Sequence, residues 1–366
     1  MLKKFALLAA TMSLPYCYCA ETFFPIGVYS PEPKNDQSVL AVKNAGFNTL
    51  LTYQTAQEET DKLLALAQKY EMKAFVILKR TFVQENDLEG MRATVRRYKN
   101  HPALAAWYLY DEPSGKITPE VLRPFYRMLK EETPNIPVAI VSCWDETWDR
   151  YSSVLDWQMI DVYPVHDEEF PRAPIQYLTT FVQQAIKLGK PVIPVLQTIN
   201  WKCFTNMLAE GRYDLEKLRF PNPAELRYMA FGSMTNGVRG MFGYSYFHAM
   251  RIDPEWWGND CSLVFNELKD FVDAVKEPSR PRIFRRAADG NYMAAAWDRK
   301  YLVVVNSWPF ERKFSGIWCE DYFDRDYELV PWGKTRSVKG EITGNRIKTD
   351  AVLQPREVLI WELKAK

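Results

Sequence analysis

The feature that most constrains this chain is a regular alternation, between residues 24 and 277, of short apolar runs and longer amphipathic segments. The apolar runs predict strands at 25–29, 48–53, 74–78, 105–110, 138–143, 159–163, 192–197 and 240–246. Segments with helical periodicity lie between them, at 55–70, 87–99, 118–132, 175–188 and 223–236. An open doubly wound sheet would show the same alternation, so the count of eight strands favours a closed (β/α)8 TIM barrel, an α/β fold.

The pattern changes after residue 277. Residues 278–282 read Pro-Ser-Arg-Pro-Arg, like a linker, and the β-rich runs 292–297, 301–306, 327–330 and 357–362 follow. Turn tracts rather than long amphipathic segments separate these runs, which favours a small antiparallel β-sandwich. We therefore expect a barrel over residues 21–277 and a C-terminal β-sandwich domain over residues 282–366.

The amino-acid composition indicates which classes of ligand the protein can bind. The 366 residues carry a formal net charge of +1 with no basic run, so we expect no nucleic-acid partner. Trp, Tyr and Phe make up 14% of the chain, and several of them lie where strands are predicted to end. Flat rings with polar edges suit the faces of sugars, although core packing is the commoner role for such side chains. The oligomeric state is left open.

The first 20 residues predict a secretory signal. Lys3 and Lys4 precede an apolar stretch over 5–14, and a short tract ends near Cys19 or Ala20. We expect export to the periplasm or the cell exterior. A lipoprotein anchor is the alternative, although Cys17 and Cys19 each follow a Tyr where lipid attachment favours a small residue. No segment of the chain is apolar for long enough to predict a membrane span.

The remaining sequence signals give no metal or cofactor motif. The other four cysteines have no metal-ligand spacing, and none of the three histidines pairs with another at such a spacing. Neither a P-loop nor a GxSxG or GxGxxG motif occurs in a suitable context. We therefore expect no metal, no cofactor and free thiols, and carboxylate chemistry is the coherent alternative.

The fourth predicted strand ends in two carboxylates and a proline, Asp111, Glu112 and Pro113. Barrel enzymes take their reacting groups from the carboxyl ends of strands. Strand alternation puts Tyr108, Tyr110 and Glu112 on one face and Asp111 on the other. If that face is the interior, Glu112 lies at the mouth against tyrosine rings, keeps its proton through partial dehydration, and acts as a general acid. The alternative is a surface loop with solvated acids.

Residues 107–113, Trp-Tyr-Leu-Tyr-Asp-Glu-Pro, resemble the Asn-Glu-Pro element on the fourth strand of the large clan of retaining glycosidase barrels, with Asp111 in place of Asn. Similarity extends to 160–164, 222–227 and 237–246. The resemblance implies a glycosidase barrel with an accessory sandwich, Glu112 as acid/base, and a carbohydrate substrate. That clan carries its nucleophile as Glu at the end of strand seven, where this chain has Gln197, which can hydrogen-bond a sugar but cannot attack it.

Three alternatives therefore remain. An inverting hydrolase would use Asp161 or Asp111 to activate water about 6.5–9.5 Å from the acid. A substrate-assisted hydrolase would use Asp111 to orient a 2-acetamido group while Glu112 protonates, as in hexosaminidases with an adjacent Asp-Glu pair. The third is a barrel that binds carbohydrate without turnover. The candidate catalytic residues are Glu112, Asp111 and Asp161.

Polar and aromatic residues near the other strand ends are candidate sugar contacts, with packing an equal alternative for each. They are Tyr53, Lys79, Trp144, Tyr163, Gln197, Trp201 and Tyr246. The segment 200–220 is longer than an ordinary strand-to-helix connection, and we expect it to form a wall of the cleft.

Overall fold

The computed structural model describes residues 23–143, 145–169, 174–284, 292–314 and 316–366. The expected export signal over residues 1–20 and the candidate sugar contact Trp144 lie outside the described residues.

Eight parallel strands close into a barrel in which each strand pairs with the next and β1 pairs with β8. The strands are β1 Ile26–Tyr29, β2 Thr49–Leu51, β3 Lys73–Ile77, β4 Leu104–Asp111, β5 Val138–Val141, β6 Trp157–Asp161, β7 Val192–Gln197 and β8 Met241–Tyr244. Each coincides with one of the eight predicted strands to within a few residues, and the predicted (β/α)8 barrel is confirmed.

Helices connect the strands and cover the outside of the barrel. They are α1 Asp36–Asn44, α2 Gln57–Lys69, α3 Arg80–Gln84, α4 Leu88–Tyr98, α5 Pro119–Glu132, α6 Asp145–Tyr151, α7 Gln176–Ile186, α8 Pro223–Met234, α9 Tyr246–Ile252, α10 Pro254–Trp256 and α11 Ser262–Ala274. Helix α8 shows why the sequence starts a helix there. Asn222 accepts from the Glu225 backbone N–H at 2.9 Å, and Glu225 accepts from the Asn222 N–H at 2.8 Å, which together form a capping box before a proline at the first helical position.

The C-terminal part is antiparallel. Its strands are β9 Arg282–Phe284, β10 Tyr292–Trp297, β11 Tyr301–Asn306, β12 Arg312–Lys313, β13 Ile317–Trp318, β14 Tyr327–Pro331, β15 Gly340–Thr343, β16 Arg346–Lys348, β17 Val352–Leu353 and β18 Val358–Ala365. Eight of them form one sheet in the order β13-β16-β15-β14-β18-β11-β10-β9, and β12 pairs with β17. This arrangement confirms the predicted antiparallel sandwich.

The interior of the barrel is packed with side chains rather than open. Phe75, Trp157 and Phe242 fill its centre, with Tyr29 and Tyr108 in the same cluster. Any Cβ at position 27 would lie 2.3 Å from the Phe242 ring, so β1 requires glycine where this ring crosses it. A filled interior leaves the ends of the barrel as the places for chemistry. Across the described residues, no helix combines the length and apolar character needed to cross a membrane.

Candidate active site

A β-bulge in β4 determines which carboxylates face the mouth of the barrel, the end where the strands terminate. The pairing of β4 with β5 shifts between Tyr108 and Tyr110, so that Leu109 is an extra residue. Leu109 and Tyr110 both pack in the outer core, whereas Tyr108 lies in the interior. Asp111 consequently turns inward. The expectation that Tyr110 shares a face with Tyr108, and that Asp111 points the other way, is wrong.

Hydrogen bonds hold the Asp111 carboxylate in place. Its Oδ1 accepts from the Tyr108 hydroxyl at 2.5 Å and from the Tyr53 hydroxyl at 3.2 Å. The Tyr108 hydroxyl accepts in turn from Tyr29 at 3.3 Å. Arg80 donates to the Asp111 backbone carbonyl at 3.0 Å and to Oδ2 at 3.4 Å. The groups that fix this side chain therefore come from the ends of the first four strands: Tyr29 and Tyr108 lie on β1 and β4, and Tyr53 and Arg80 follow β2 and β3.

The electrostatic environment of Asp111 is mixed. Burial raises its pKa, the hydrogen bond from Tyr108 opposes that rise, and the charge of Glu112 adds to it. The result is a carboxyl with a raised pKa at the base of the mouth, held by hydroxyl donors.

Glu112 lies at the exit of β4 and is exposed. Its φ of 46° is in the left-handed region, which is uncommon for a residue with a side chain. The expectation of a partly dehydrated carboxyl pressed against tyrosines is therefore wrong for Glu112. It does lie at the mouth, where donor atoms of Glu112, Cys143 and Asp161 lie within 4.8 Å of one another.

Asp161, the last residue of β6, has the dehydrated environment that we expected for Glu112. Burial comes first among the causes that raise its pKa well above the usual range, followed by the charge of Glu112 and a hydrogen bond with it. Its Oδ1 is buried without a hydrogen-bond partner among the described residues. Asp161 is thus the carboxyl of the pair whose charged form is disfavoured by burial, and Glu112 is its exposed partner.

Cys143 follows β5 and completes this cluster. Burial, and then the charges of Glu112 and Asp161, raise the pKa of its thiol. The donor atoms of the three residues lie close enough together to share a proton. Cys143 occurs in no sequence motif, so the sequence alone does not point to this residue.

Aromatic rings line the mouth beside the carboxyls. The rings of Tyr163 and Tyr244 stack at 5.5 Å with an angle of 13°, and Tyr29 lies 5.4 Å from Tyr244. Tyr53 lies 5.6 Å from Tyr29 and is 38% exposed. Tyr53 and Tyr163 are among the predicted sugar contacts. Tyr244 is not among them, because the predicted eighth strand ends at residue 246 and the observed one at Tyr244.

Tyr246 does not belong to the mouth. It begins α9, is buried in the outer core, and meets Trp257 edge-on at 5.0 Å. Lys79 is exposed at the end of β3 with its ammonium 5.9 Å from the Phe82 ring, whereas the adjacent Arg80 makes the contact with Asp111. The expected sugar contact of Tyr246 is therefore wrong, and that of Lys79 stays a prediction.

Gln197 occupies the position where the glycosidase clan has its nucleophile, but it does not face a ligand. Its side chain is fully buried, and Oε1 accepts from the Val165 N–H at 2.7 Å. Its Nε2 donates to the carbonyls of Val165 at 2.6 Å and Ile199 at 3.2 Å. Because backbone groups satisfy the amide, Gln197 fixes the loops after β6 and β7, and its expected role in sugar binding is wrong.

Trp201 lies in the segment 200–220, against the loop after β6. Its indole N–H donates to the Tyr163 carbonyl at 3.2 Å, and its ring stacks on His166 at 5.0 Å. The segment folds as short turns at Trp201–Cys203, Thr205–Met207 and Leu215–Lys217. The contact with Tyr163 brings Trp201 beside the mouth, and the wall of the cleft stays a prediction.

No protein-family model and no curated protein sequence matches this chain. Among solved structures, a protein described as a glycoside hydrolase superposes with a TM-score of 0.62 at 13% identity, covering 93% of this chain and 92% of the other. A family 5 glycoside hydrolase from Bacteroides vulgatus ATCC 8482 gives 0.60 at 13% identity over 93% and 89%. A family 39 glycoside hydrolase from the gut symbiont Bacteroides cellulosilyticus WH2 gives 0.54 at 14% identity over 93% and 81%. Likeness at these identities is a likeness of fold, and in fold this chain is a glycoside-hydrolase-like (β/α)8 barrel with a C-terminal β domain.

Proposed function

We propose that this protein is a glycoside hydrolase that cleaves an oligo- or polysaccharide outside the cytoplasm. The observation that carries the proposal is the pairing of an exposed carboxyl, Glu112, with a buried one, Asp161, at the mouth of the barrel, with donor atoms within 4.8 Å. Two carboxyls in contrasting environments are the usual means of acid catalysis on a glycosidic bond. The fold of the similar glycoside hydrolases and the signal-like N-terminus support the same proposal.

The two carboxyls have different roles in the proposed reaction. Asp161 holds the proton of the pair, and Glu112, which is exposed, meets the glycosidic oxygen. As the carbon–oxygen bond breaks, its electrons pass to the leaving oxygen, and the proton moves from Asp161 to Glu112 and from Glu112 to that oxygen. The Asp161 carboxylate then faces the positive charge that develops on the sugar ring. Water adds to the anomeric carbon and returns a proton to the pair.

The separation of the carboxyls limits the mechanism. An inverting hydrolase holds its two carboxyls about 6.5–9.5 Å apart to admit a water between them. Donor atoms within 4.8 Å leave Glu112 and Asp161 too close for that arrangement, so Asp161 as the base of an inverting pair is not supported.

Substrate-assisted cleavage of a 2-acetamido sugar is the second candidate mechanism. The observation that favours it is the inward turn of Asp111, which brings this carboxyl to the mouth beside the Tyr53 hydroxyl, next to Glu112 in the chain. A carboxyl with a raised pKa in that position suits the orientation of an amide group. It predicts that aryl N-acetylhexosaminides are cleaved and the matching aryl hexosides are not.

The test is hydrolysis of a panel of polysaccharides and aryl glycosides by the wild-type protein, Glu112→Gln and Asp161→Asn. We expect Glu112→Gln to lower kcat by about 10²–10⁴-fold, the usual contribution of a general acid. Asp161→Asn should retain part of the activity. The alkaline limb of its kcat/KM profile should lie at lower pH than that of wild type, because Asp161 no longer supplies a proton to Glu112. Glu89→Gln, an exposed carboxyl on α4, is the control.

Wild-type protein that cleaves nothing in the panel but binds some of its glycans would contradict the proposal and favour a non-catalytic carbohydrate-binding protein. Equal activity of Glu112→Gln and Glu89→Gln would contradict the role of Glu112.

A further inference from the structure

We propose a second saccharide-binding subsite, formed by the rings of Trp201, His166 and Tyr213, that binds a neutral sugar unit of the same glycan chain. This inference rests on the proposed function and specifies its substrate as a chain of several units rather than a single terminal sugar. Trp201 alone was among the residues that the sequence suggested for sugar contact.

The three rings form a regular stack. Trp201 and His166 lie 5.0 Å apart with an angle of 9°, and His166 and Tyr213 lie 4.2 Å apart with an angle of 11°. All three side chains are partly exposed, so part of the ring surface is open at the outside of the stack, where Arg212 also lies over Tyr213. Aromatic surface with polar edges suits the apolar faces of a pyranose and the hydroxyls around them.

The stack continues the lining of the mouth. Trp201 lies 6.2 Å from Tyr163, which stacks on Tyr244 and follows Asp161 by two residues. A row of rings therefore leads from the carboxyl pair outward to Tyr213. Because the outer rings are continuous with the proposed catalytic site, we expect them to bind the next sugar unit of the glycan that occupies the catalytic site.

The wall is held in one conformation by its own polar contacts. The Asp214 N–H donates to Asp167 Oδ2 at 2.7 Å, and Asn200 Nδ2 donates to the Leu218 carbonyl at 3.1 Å. The Arg219 guanidinium donates to the Glu168 carbonyl. The bonds of Asp214 and Arg219 fix the later part of the segment 200–220 against the loop after β6, and the bond of Asn200 joins the two ends of the segment to each other. A preformed ring surface loses little conformational entropy when a ligand binds, so more of the contact energy contributes to affinity.

The charges near the stack favour a neutral sugar. Burial lowers the pKa of His166, so its imidazole is neutral at pH 7 within the stack. The guanidinium of Arg212 lies 5.2 Å from the Tyr213 ring centroid at the outer end. The carboxyl of Asp167, next to His166 in the chain, accepts from the Asp214 N–H, and Glu112 is exposed at the mouth. Both carboxyls disfavour an anionic sugar.

The experiment measures binding of cello-, xylo- and chito-oligosaccharide ladders of two to six units by titration calorimetry. The protein is the Glu112→Gln form, so that binding is read without cleavage. Trp201→Ala, Tyr213→Ala and Tyr213→Phe are compared in that background. Tyr177→Ala, which removes a tyrosine 53% exposed on α7, is the matched control.

We expect affinity for one ladder to rise with chain length. Tyr213→Ala should lower affinity for the longest member by about tenfold, equivalent to about 1.4 kcal/mol, and for the two-unit member by much less. Tyr213→Phe keeps the ring and should restore the length dependence. Affinity independent of length, binding of no ladder, or a Tyr213→Ala profile equal to that of Tyr177→Ala would overturn the subsite.

The two proposals fail separately. Length-dependent binding through Tyr213 without any hydrolysis by wild-type protein would keep the subsite and remove the hydrolase. Cleavage of a glycan whose binding does not depend on length or on Tyr213 would do the reverse.

Discussion

At the scale of the residue, neighbours in sequence have different environments at this site. Asp111 and Glu112 are adjacent, yet the first is turned into the barrel and bonded to tyrosines, and the second is exposed with a left-handed backbone. Asp161 is distant in sequence but lies against Glu112. Burial rather than residue type decides which carboxyl keeps a proton, since all three carboxyls have similar intrinsic pKa values.

Stability should reveal the proton on Asp161. The pKa of Asp161 is raised in the folded state. Below the unfolded pKa of about 3.9, Asp161 is protonated in both the folded and the unfolded state, and it then has little effect on the free energy of unfolding. As pH rises from there through the raised folded pKa, the unfolded state ionises first and stability is lost. Asp161→Asn cannot ionise, so its melting temperature relative to wild type should rise as the pH increases above about 4, until the folded wild-type carboxyl ionises.

Thermal unfolding at pH 4, 6 and 8 makes this measurement, with the exposed Asp149→Asn as the matched control. A difference between Asp161→Asn and wild type that stays flat, or falls, with rising pH would show that Asp161 is ionised in the folded protein.

At the scale of the element, the sequence predicted regular structure well and its irregularities poorly. The eight strands and the start of α8 follow from local patterns, apolar runs and an Asn-Pro-Ala-Glu cap. The bulge at Leu109 has no compositional sign, because an extra residue in a strand looks like any other residue. A single insertion reverses the facing of every residue after it, which is why Asp111 was assigned to the wrong face.

The same limit explains the two wrong sugar contacts. Gln197 is the last residue of β7, as predicted, but the loops after β6 and β7 supply the backbone groups that bind its amide. Tyr246 was placed on β8, which ends at Tyr244, and the chain turns into α9 at that point. Long-range packing decides both cases, and no window of sequence around either residue contains that information.

The capping box of α8 gives a prediction at this scale. Asn222→Ala removes the acceptor for the Glu225 N–H and should lower the free energy of unfolding by about 1 kcal/mol, the usual worth of an N-cap. Thr118→Ala at the start of α5 is the control, since the Thr118 side chain caps no backbone N–H of its helix and bonds the exposed Glu120 side chain instead. Urea unfolding of both variants measures the difference, and equal losses would mean that the box does not stabilise α8.

At the scale of the whole molecule, the barrel and the C-terminal sheet share one apolar core. Phe271 of α11 meets Trp297 edge-on at 5.1 Å and Tyr301 at 5.7 Å. Arg227 of α8 pairs with Glu267 at 2.8 Å and donates to the Val358 carbonyl of β18, with both charged side chains largely buried. The change of pattern after residue 277 indicated a second domain, but it could not show that this domain covers a face of the first.

A shared core predicts that the described parts of the molecule unfold together. Separating the sheet from α8 and α11 would expose Phe271 to water and would hydrate one side of the Arg227–Glu267 pair. Because this exposure costs free energy, we expect no populated state in which only one of the two parts is unfolded. Scanning calorimetry should therefore give one transition.

Arg227→Met leaves Glu267 buried without its charged partner and should lower the free energy of unfolding by about 3 kcal/mol, which moves that one transition to lower temperature. The exposed Arg299→Met should move it little. Two separate peaks in wild type, or a second peak created by Arg227→Met, would mean that the sheet is attached to the barrel without being part of its core.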